Sequence, residues 1–342
     1  MSRDKAPVFV VGCPRSGTTL LYNMLLSAGG FAVYLAESNV FNLLVPRFGD
    51  LSVAANREKM VDAWLQSQLF RATFLDAGKI RAKVLTECRN GGDFLRIVMG
   101  EMGREQGVER WADNSPEELL YAVTIKKYLP GALFIHMIRD GRDVSLSLDA
   151  RPHAWIRPFS WDRNDSLAIA GICWEWMLKR GRELGRQLGG DYIEVHFEEL
   201  QADGPGTLAK IGAFIQHDLD YDRILRVGIG SVREPNTSFK GDGGSPVGRW
   251  KQKISAEKLA LFEALVGTTL KELGYPLATA EASANRLNAL RLRTFYRAYF
   301  DAKFWFKSSG LARAVRGPMS GQQIDDTTMA VDPARQAAGT RF

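Results

Sequence analysis

The chain has 342 residues, of which 45% are hydrophobic, enough to bury the core of one large domain or two small ones. Lysine and arginine outnumber aspartate and glutamate by 45 to 39, and the net charge of +6 favours anionic partners: nucleotides, acidic glycans, nucleic acid or a membrane surface. The three cysteines, Cys13, Cys88 and Cys173, form no Cys-x-x-Cys pair, which argues against a disulfide framework and a structural zinc site and fits a reducing compartment.

The N-terminal sequence predicts no secretory signal, because the apolar stretch 8–11 is too short for the hydrophobic region of such a signal. No run in the sequence approaches the roughly 20 apolar residues that span a bilayer. We therefore expect a cytoplasmic protein, and a peripheral contact with a membrane stays open.

The first predicted element is a buried strand over 7–12, where β-branched and aromatic residues follow one another without interruption. A loop rich in Gly, Pro, Ser and Thr comes next. Residues 19–26 predict a helix, because Leu21, Met24 and Leu25 recur at helical spacing. Three further segments are predicted to be helical: 57–74, 92–105 and, with Ser115 as its cap, 116–128.

Two more buried strands are predicted in the second half of the chain, over 133–138 and 192–197. The alternation of strands and helices predicts an α/β fold with a central parallel sheet and helices on both faces. Residues 235–246 are rich in Gly, Ser, Asn and Asp and predict a mobile loop. Four helices are expected in this half. One begins within 139–143, and the others cover 167–188, 207–215 and 256–273.

A change of composition after about residue 278 predicts three regions. Residues 1–278 are expected to form a single α/β domain. In residues 279–317, Arg and Lys alternate with Leu, Phe, Tyr and Trp. This extension is either an amphipathic helix on an anionic membrane, a surface for a glycan or nucleic acid, or a helix packed on the domain. Residues 318–342 are polar and aperiodic and predict a disordered tail.

The loop 12–19, with the sequence GCPRSGTT, predicts an anion site, because backbone N–H groups and a helix N-terminus converge there. Gly17 lets the backbone approach a phosphate, and Thr18 and Thr19 add hydroxyl donors. The spacing nearly matches the Walker A motif, but Thr18 stands in place of its lysine, so ATP or GTP hydrolysis is poorly supported. Arg15 supplies a guanidinium suited to two phosphate or sulfate oxygens. A turn that binds nothing is the structural alternative.

A second motif follows the strand predicted over 133–138. Arg139 stands at the carboxyl end of this strand, where open α/β sheets bind ligands. Ser147 lies two helical turns further on, where its hydroxyl would face the same crevice. The alternative is a surface cluster of salt bridges between Arg139 and its charged neighbours at 140, 142 and 143.

These two segments resemble motifs of the sulfotransferases that use 3′-phosphoadenosine 5′-phosphosulfate (PAPS). The sequence PRSGTT is similar to their 5′-phosphosulfate loop, in the arginine form of the tyrosylprotein and bacterial branch, and IRDGRDVSLS is similar to their 3′-phosphate motif. The resemblance extends over about 7–274 and implies a P-loop-like sulfotransferase fold. The implied contacts are those of the 5′-phosphosulfate with Arg15, Ser16, Gly17, Thr18 and Thr19, and of the 3′-phosphate with Arg139 and Ser147.

A third segment, with the sequence GRWK at 248–251, resembles the late G-x-W-K segment that closes over the nucleotide in this family. The resemblance implies that Arg249, Trp250 and Lys251 contact the nucleotide and that the segment acts as a lid. The alternative is the start of a helix with Trp250 in the core.

The resemblance also implies a general base. Tyrosylprotein and heparan-type sulfotransferases place a catalytic glutamate at a similar distance after the loop, and Glu37 matches it. Arg15 is the candidate for stabilising charge on the leaving phosphate oxygen. His136 lies inside a predicted buried strand and is expected to be structural, and His153 and His196 are weaker candidates for the base. The Lys-x-His pattern of the small-molecule sulfotransferases does not occur, so their catalytic histidine has no counterpart in this sequence.

We therefore expect an enzyme that transfers a sulfuryl group from PAPS to a hydroxyl of a carbohydrate, a lipid or another small molecule, without a metal or redox cofactor. Asn114 stands where some relatives carry a lysine that assists the leaving group, which weakens the catalytic case. Two alternatives stay open: a P-loop nucleotide kinase or NTPase, and a non-catalytic adaptor that keeps the nucleotide fold. A nucleic-acid partner is not expected.

Overall fold

The computed structural model describes residues 2–150, 159–233, 245–279 and 286–328. In these residues a parallel sheet of five strands has the order β2-β3-β1-β4-β5. The strands are β1 Val8–Gly12, β2 Phe31–Ala32, β3 Arg110–Asp113, β4 Leu133–Ile138 and β5 Tyr192–His196. Strands β1, β3 and β4 are buried along their whole length, which accounts for the uninterrupted apolar sequence of β1.

Helices cover both faces of the sheet. Side chains alternate along β1, so that Phe9 and Val11 face one apolar core and Val8 and Val10 face the other. Three helices pack in the first core, at Gly91–Gln106, Ser166–Leu188 and Ala256–Glu272, and three pack in the second, at Thr18–Ser27, Gly204–Ile215 and Tyr221–Val227. The predicted α/β architecture is therefore confirmed.

The bounds of the helices follow in chain order. The α-helices are α1 Thr18–Ser27, α2 Val45–Phe48, α3 Ala54–Leu65, α4 Gln68–Arg71, α5 Ala77–Glu87, α6 Gly91–Gln106, α7 Ala122–Tyr128, α8 Gly141–Asp149, α9 Ser166–Leu188, α10 Phe197–Ala202, α11 Gly204–Ile215, α12 Tyr221–Val227, α13 Trp250–Lys253, α14 Ala256–Glu272, α15 Arg286–Ser308, α16 Gly310–Arg316 and α17 Gly321–Thr327. Two further helical turns border the site: a π-helix at Val40–Leu44 and a 3-10 helix at Pro116–Tyr121.

The register brings the carboxyl ends of three strands to one edge of the sheet. Gly12 lies opposite Met137, and Ile138 lies opposite His196. The chain leaves β1 toward β2 on one side of the sheet and leaves β4 toward β5 on the other. The crevice between the ends of β1 and β4 is therefore a topological switch point, where ligands bind in open α/β sheets.

Two helix predictions were wrong in detail. The helix expected over 57–74 is interrupted at Ser67, whose hydroxyl accepts a hydrogen bond from the N–H of Phe70 and begins α4. Ser115 does not cap the helix that follows it. Its hydroxyl is used by the distant Asn39, and the chain passes through the 3-10 helix before α7 begins.

The C-terminal extension packs on the α/β domain. Leu292, Tyr296 and Phe300 of α15 are fully buried against the core that contains α9 and α14. Residues 318–328 differ from the expected disordered tail, because α17 carries a capping box and Ile324 is buried. The remaining tail, 329–342, and most of the loop expected at 235–246 lie outside the described residues.

No helix in the described parts of the chain is both long enough and apolar enough to cross a membrane.

Candidate active site

The loop between β1 and α1 has the backbone geometry of an anion cradle. Arg15 has φ of 76° and Gly17 has φ of 95°, both in the left-handed region. A Cβ atom on Gly17 would lie 2.3 Å from Cδ2 of the Phe197 ring, so that only glycine fits this position. The loop ends at the N-terminus of α1, where the first backbone N–H groups have no partner within the helix.

The first and second motifs meet at the switch point. The Nε atom of Arg15 donates a hydrogen bond to Oγ of Ser147, at 2.9 Å. Arg139 Nη1 donates to the carbonyl oxygen of Arg15, at 3.1 Å. Four of the predicted residues, Arg15, Gly17, Arg139 and Ser147, thus lie around one crevice, and Ser16 and Thr18 are buried beside it while Thr19 is exposed.

Arg139 is a buried cation, and one of its N–H groups has no hydrogen-bond partner among the described residues. Its side chain is 9% exposed, and its guanidinium lies 4.3 Å from the centre of the Phe197 ring. Its Nε atom is buried and has no hydrogen-bond partner among the described residues. Burial lowers the pKa of Arg139, and the positive charge of Arg249 contributes to this lowering. A bound anion would offset both effects.

The neighbouring charges in this motif have structural roles. Arg142 is buried and forms ion pairs with Asp140 and Glu263, both at 2.8 Å. The alternative of a surface salt-bridge cluster is therefore wrong for Arg142, which is inside the protein. Asp143 accepts hydrogen bonds from the N–H groups of Gly248 and Trp250, at 2.7 and 3.0 Å. The third motif is thus anchored to the second through its backbone.

Trp250 lies at the start of α13 and is 6% exposed, as the alternative interpretation of this segment expected. The guanidinium of Arg142 stacks on its ring at 3.7 Å. Arg249 is partly exposed and Lys251 is exposed, with its Nζ atom 5.8 Å from the Trp250 ring. Of the three predicted contacts in this segment, Arg249 is the one whose charge acts on Arg139.

Glu37 follows β2 in the chain and keeps some exposed surface. Burial raises the pKa of Glu37 to about 8, with contributions from the negative charges of Glu117 and Asp113. The positive charge of Arg15 acts in the opposite direction, which places the predicted base within the field of the predicted phosphate ligand.

The segment that carries Glu37 is held by the turn after β3. The N–H of Asn39 donates to Oγ of Ser115 at 3.1 Å, and the N–H of Phe41 donates to Oε1 of Glu118 at 2.8 Å. Burial raises the pKa of Glu118 well above its usual range and that of Asp113 to about 6. Sequence reasoning missed these acids. Asp113 is the last residue of β3 and Glu118 lies in the 3-10 helix that follows, and this place at a strand end was the signal.

Asn114 joins this turn to the start of α1. Its Nδ2 atom donates to Oγ1 of Thr19 at 3.4 Å, and its side chain is buried. The Oδ1 atom has no hydrogen-bond partner among the described residues. Asn114 therefore lies beside Thr19 as a neutral hydrogen-bond donor.

Two of the histidines considered as bases contact tyrosine hydroxyls, and the third lies outside the described residues. His136 is buried on β4 with its Nδ1 atom 2.6 Å from the hydroxyl of Tyr192, and burial lowers its pKa to about 4. His196 contacts the hydroxyl of Tyr275, at 3.2 Å. His153 lies outside the described residues.

The described residues contain no group of three or more His, Cys, Asp or Glu side chains arranged to hold a metal ion.

Comparisons with known proteins agree with this architecture. The model of the sulfotransferase family matches residues 7–222. The sulfotransferase domain from the curacin biosynthetic pathway has a TM-score of 0.53 and 15% identity, over 80% of this chain and 98% of that chain. That of the Synechococcus PCC 7002 olefin synthase has a TM-score of 0.45 and 21% identity, over 85% and 94%. Sulfotransferase STF1 from Mycobacterium tuberculosis H37Rv has a TM-score of 0.41 and 17% identity, over 72% and 76%. No curated protein shows a significant match.

Proposed function

Because the chain belongs to the sulfotransferase family, we propose that it moves a sulfuryl group from PAPS to an acceptor hydroxyl, with Glu37 as the general base. The observation that carries the proposal is the hydrogen bond between Arg15 and Ser147. It joins the loop suited to the 5′-phosphosulfate to the helix suited to the 3′-phosphate, at the switch point of the sheet.

The geometry supports a donor with two anionic groups. The 5′-phosphosulfate would lie on the N-terminus of α1, within reach of Arg15, Ser16 and the backbone of 17–19. The 3′-phosphate would lie beside Arg139 and Ser147, where it would give the buried Nε atom of Arg139 a partner. Arg249 would add a second positive charge to this end of the site.

In the proposed reaction the acceptor oxygen attacks sulfur in line with the bond from sulfur to the 5′-phosphate oxygen. The new S–O bond forms as the old one breaks, the acceptor proton passes to Glu37, and 3′-phosphoadenosine 5′-phosphate (PAP) leaves. Negative charge grows on the departing phosphate oxygen, and Arg15 together with the N-terminus of α1 would stabilise it. Asn114 would donate a neutral hydrogen bond from the same side.

The raised pKa of Glu37 suits a base that must take up a proton firmly. A pKa near 8 leaves part of the population ionised at neutral pH and makes proton transfer from a hydroxyl less unfavourable than transfer to an ordinary carboxylate. The acceptor we propose is the hydroxyl of a carbohydrate, a lipid or another small molecule. Contact of the extension with a membrane or a glycan stays a prediction, as does a cytoplasmic location.

Calorimetric titration with PAP and with AMP tests the donor. We expect PAP to bind more tightly than AMP, because AMP lacks the 3′-phosphate. Arg139→Ala should weaken PAP binding by at least about tenfold, since a hydrogen bond to a charged group contributes about 1.5–3 kcal/mol.

The matched control is Arg226→Ala, which removes the same charge from the exposed surface of α12 and should leave PAP binding unchanged. Equal affinity for PAP and AMP, or unchanged PAP binding in Arg139→Ala, would contradict the proposed donor.

A further inference from the structure

The C-terminal extension reaches the candidate active site. Helix α15 lies outside the residues that the family model matches, yet its last turn contacts the turn after β3. Lys307 Nζ lies 3.1 Å from Oε2 of Glu117, and the ring of Phe304 lies 5.5 Å from that of Tyr121. The contact joins two segments that are 190 residues apart in the chain.

Glu117 is held close to Glu37 by its neighbours in sequence. Ser115 and Glu118 accept backbone hydrogen bonds from Asn39 and Phe41, so the segment after Glu37 is fixed on the turn that carries Glu117. Four acids gather here: Glu37, Asp113, Glu117 and Glu118. Asp113 and Glu118 are buried, whereas Glu37 and Glu117 keep some exposed surface.

The charges around Glu37 come from three elements. Arg15 faces it from the phosphate loop, Asp113 from β3, and Glu117 and Glu118 from the 3-10 helix. The negative charge of Glu117 also acts on Cys13 of the phosphate loop, Cys173 of α9 and Tyr121 of its own helix.

The side chain of Glu117 is only 13% exposed, and that of Lys307 is 27% exposed. A carboxylate so enclosed, with other acids nearby, would tend to take up a proton. The ammonium group of Lys307 supports its ionised form, because the pair is close and largely shielded from solvent.

We propose that Lys307, which belongs to the C-terminal extension, is a positioning residue of the active site. Its ammonium group keeps Glu117 ionised and holds this side chain near Glu37. The extension thereby contributes to the environment of the proton acceptor. Its catalytic consequence rests on the proposed role of Glu37 as base, but the electrostatic link does not.

The two partners of the ion pair act on different carboxyl groups. Glu117→Gln removes a negative charge beside Glu37, so the pKa of Glu37 should fall. Lys307→Met removes the positive charge that contacts Glu117, so the titration of Glu117 should move to higher pH. Each movement should be about one pH unit, as is usual for charges that interact at close range in partly buried sites. Lys307→Arg keeps the charge and should titrate like the parent protein.

The experiment is carbon-13 NMR titration of the side-chain carboxyl signals in the full chain labelled at glutamate, with Glu37→Gln and Glu117→Gln used to assign the two signals. The control is Arg297→Met, which removes a positive charge from the exposed surface of the same helix and should move neither signal. Thermal unfolding confirms that each variant is folded. A lower pKa of Glu37 in Glu117→Gln, together with a higher pKa of Glu117 in Lys307→Met, supports the proposal. An unmoved Glu117 signal in Lys307→Met, or an unmoved Glu37 signal in Glu117→Gln, would overturn it.

The titration needs neither donor nor acceptor, so its outcome is separate from that of the proposed function. If PAP binds but turnover does not need Glu37, the proposed role of Glu37 as base is wrong, and the proposed interaction of Lys307 with Glu117 is unaffected. An unchanged titration in Lys307→Met would remove the link and leave the sulfotransferase proposal intact.

Discussion

Arg15 and Ser147, 132 residues apart in the chain, share a hydrogen bond of 2.9 Å from Nε to Oγ. The bond links the phosphate loop after β1 to the helix after β4, and these two strands are neighbours in the sheet. A guanidinium held in this way has less conformational freedom to lose, which lowers the entropy cost of binding an anion.

Ser147→Ala should weaken PAP binding by about tenfold. The substitution removes a partner of Arg15 and a donor for the 3′-phosphate, each a hydrogen bond that involves a charged group. Calorimetry with PAP measures the effect. Ser145→Ala is the matched control on the same helix, because the Ser145 hydroxyl is buried without a hydrogen-bond partner among the described residues. Equal loss of affinity in both variants would show that the effect is one of helix stability.

Gly17→Ala should abolish detectable PAP binding and destabilise the protein by about 1–3 kcal/mol, because the new Cβ meets the Phe197 ring at a left-handed backbone position. Chemical denaturation measures the stability, and calorimetry measures the binding.

Gly100→Ala is the control for this substitution. Gly100 lies within α6, and a Cβ atom there meets nothing within 4 Å. We expect it to raise stability by about 0.5–1 kcal/mol, as alanine does for glycine in a helix, and to leave binding unchanged. Normal PAP binding in Gly17→Ala would refute the fit of the loop to a phosphate.

The free energy of unfolding should depend on pH through the titration of Glu37. Its pKa is about 8 in the folded chain, above the usual value of 4.5. The folded state therefore binds more protons than the unfolded state between these values, and stability falls as the pH rises from about 4.5 to 8. The slope is at most about 1.4 kcal/mol for each pH unit, and smaller here since the side chain keeps some exposure.

Glu37→Gln should flatten this part of the profile and be more stable than the parent protein above pH 8. Urea denaturation of both proteins across the pH range measures the difference. Once an acceptor is identified, kcat/KM should rise with pH through about 8 in the parent protein, because the base acts as a carboxylate. Parallel stability profiles for the two proteins would refute the raised pKa.

Asn114→Lys should raise the turnover of a sulfuryl acceptor, on the order of tenfold, by placing a positive charge beside Thr19 and the leaving phosphate. Single-turnover kinetics with PAPS isolates the chemical step. Asn114→Ala is the comparison, since it removes the neutral donor without adding charge and should slow the same step. A folded Asn114→Lys variant that turns over no faster than Asn114→Ala would show that this position does not assist the leaving group.

The strand–loop–helix unit at the start of the chain could be predicted from the sequence because its signals are local. The apolar run of β1, the glycine and proline of the loop and the helical spacing of Leu21, Met24 and Leu25 each depend on neighbouring residues alone. For the same reason β4 and α9 were predicted to within a residue of their observed bounds. The place of Arg139 at a strand end followed from β4.

The short elements and the charged network depend on the tertiary structure. Strand β2 has two residues and β3 has four, too few for a period to appear in the sequence. Strands β2 and β3 are neighbours in the sheet, and the segment after β2, which carries Glu37, is hydrogen-bonded to the turn after β3, which carries Glu117 and Glu118. Helix α15 places Lys307 against Glu117.

The sequence by itself therefore determined the α/β fold class, because local patterns of burial and backbone shape encode it. The nucleotide-binding roles of two motifs stay a prediction from their resemblance to those of the family. Only the tertiary structure decided which charges surround Glu37. It also decided that Arg142 is buried and stacks on the Trp250 ring, and that Lys307 of the extension contacts Glu117. The physical reason is that the protonation of a side chain depends on burial and on charges nearby in space, and the strand order β2-β3-β1-β4-β5 brings together residues far apart in the chain.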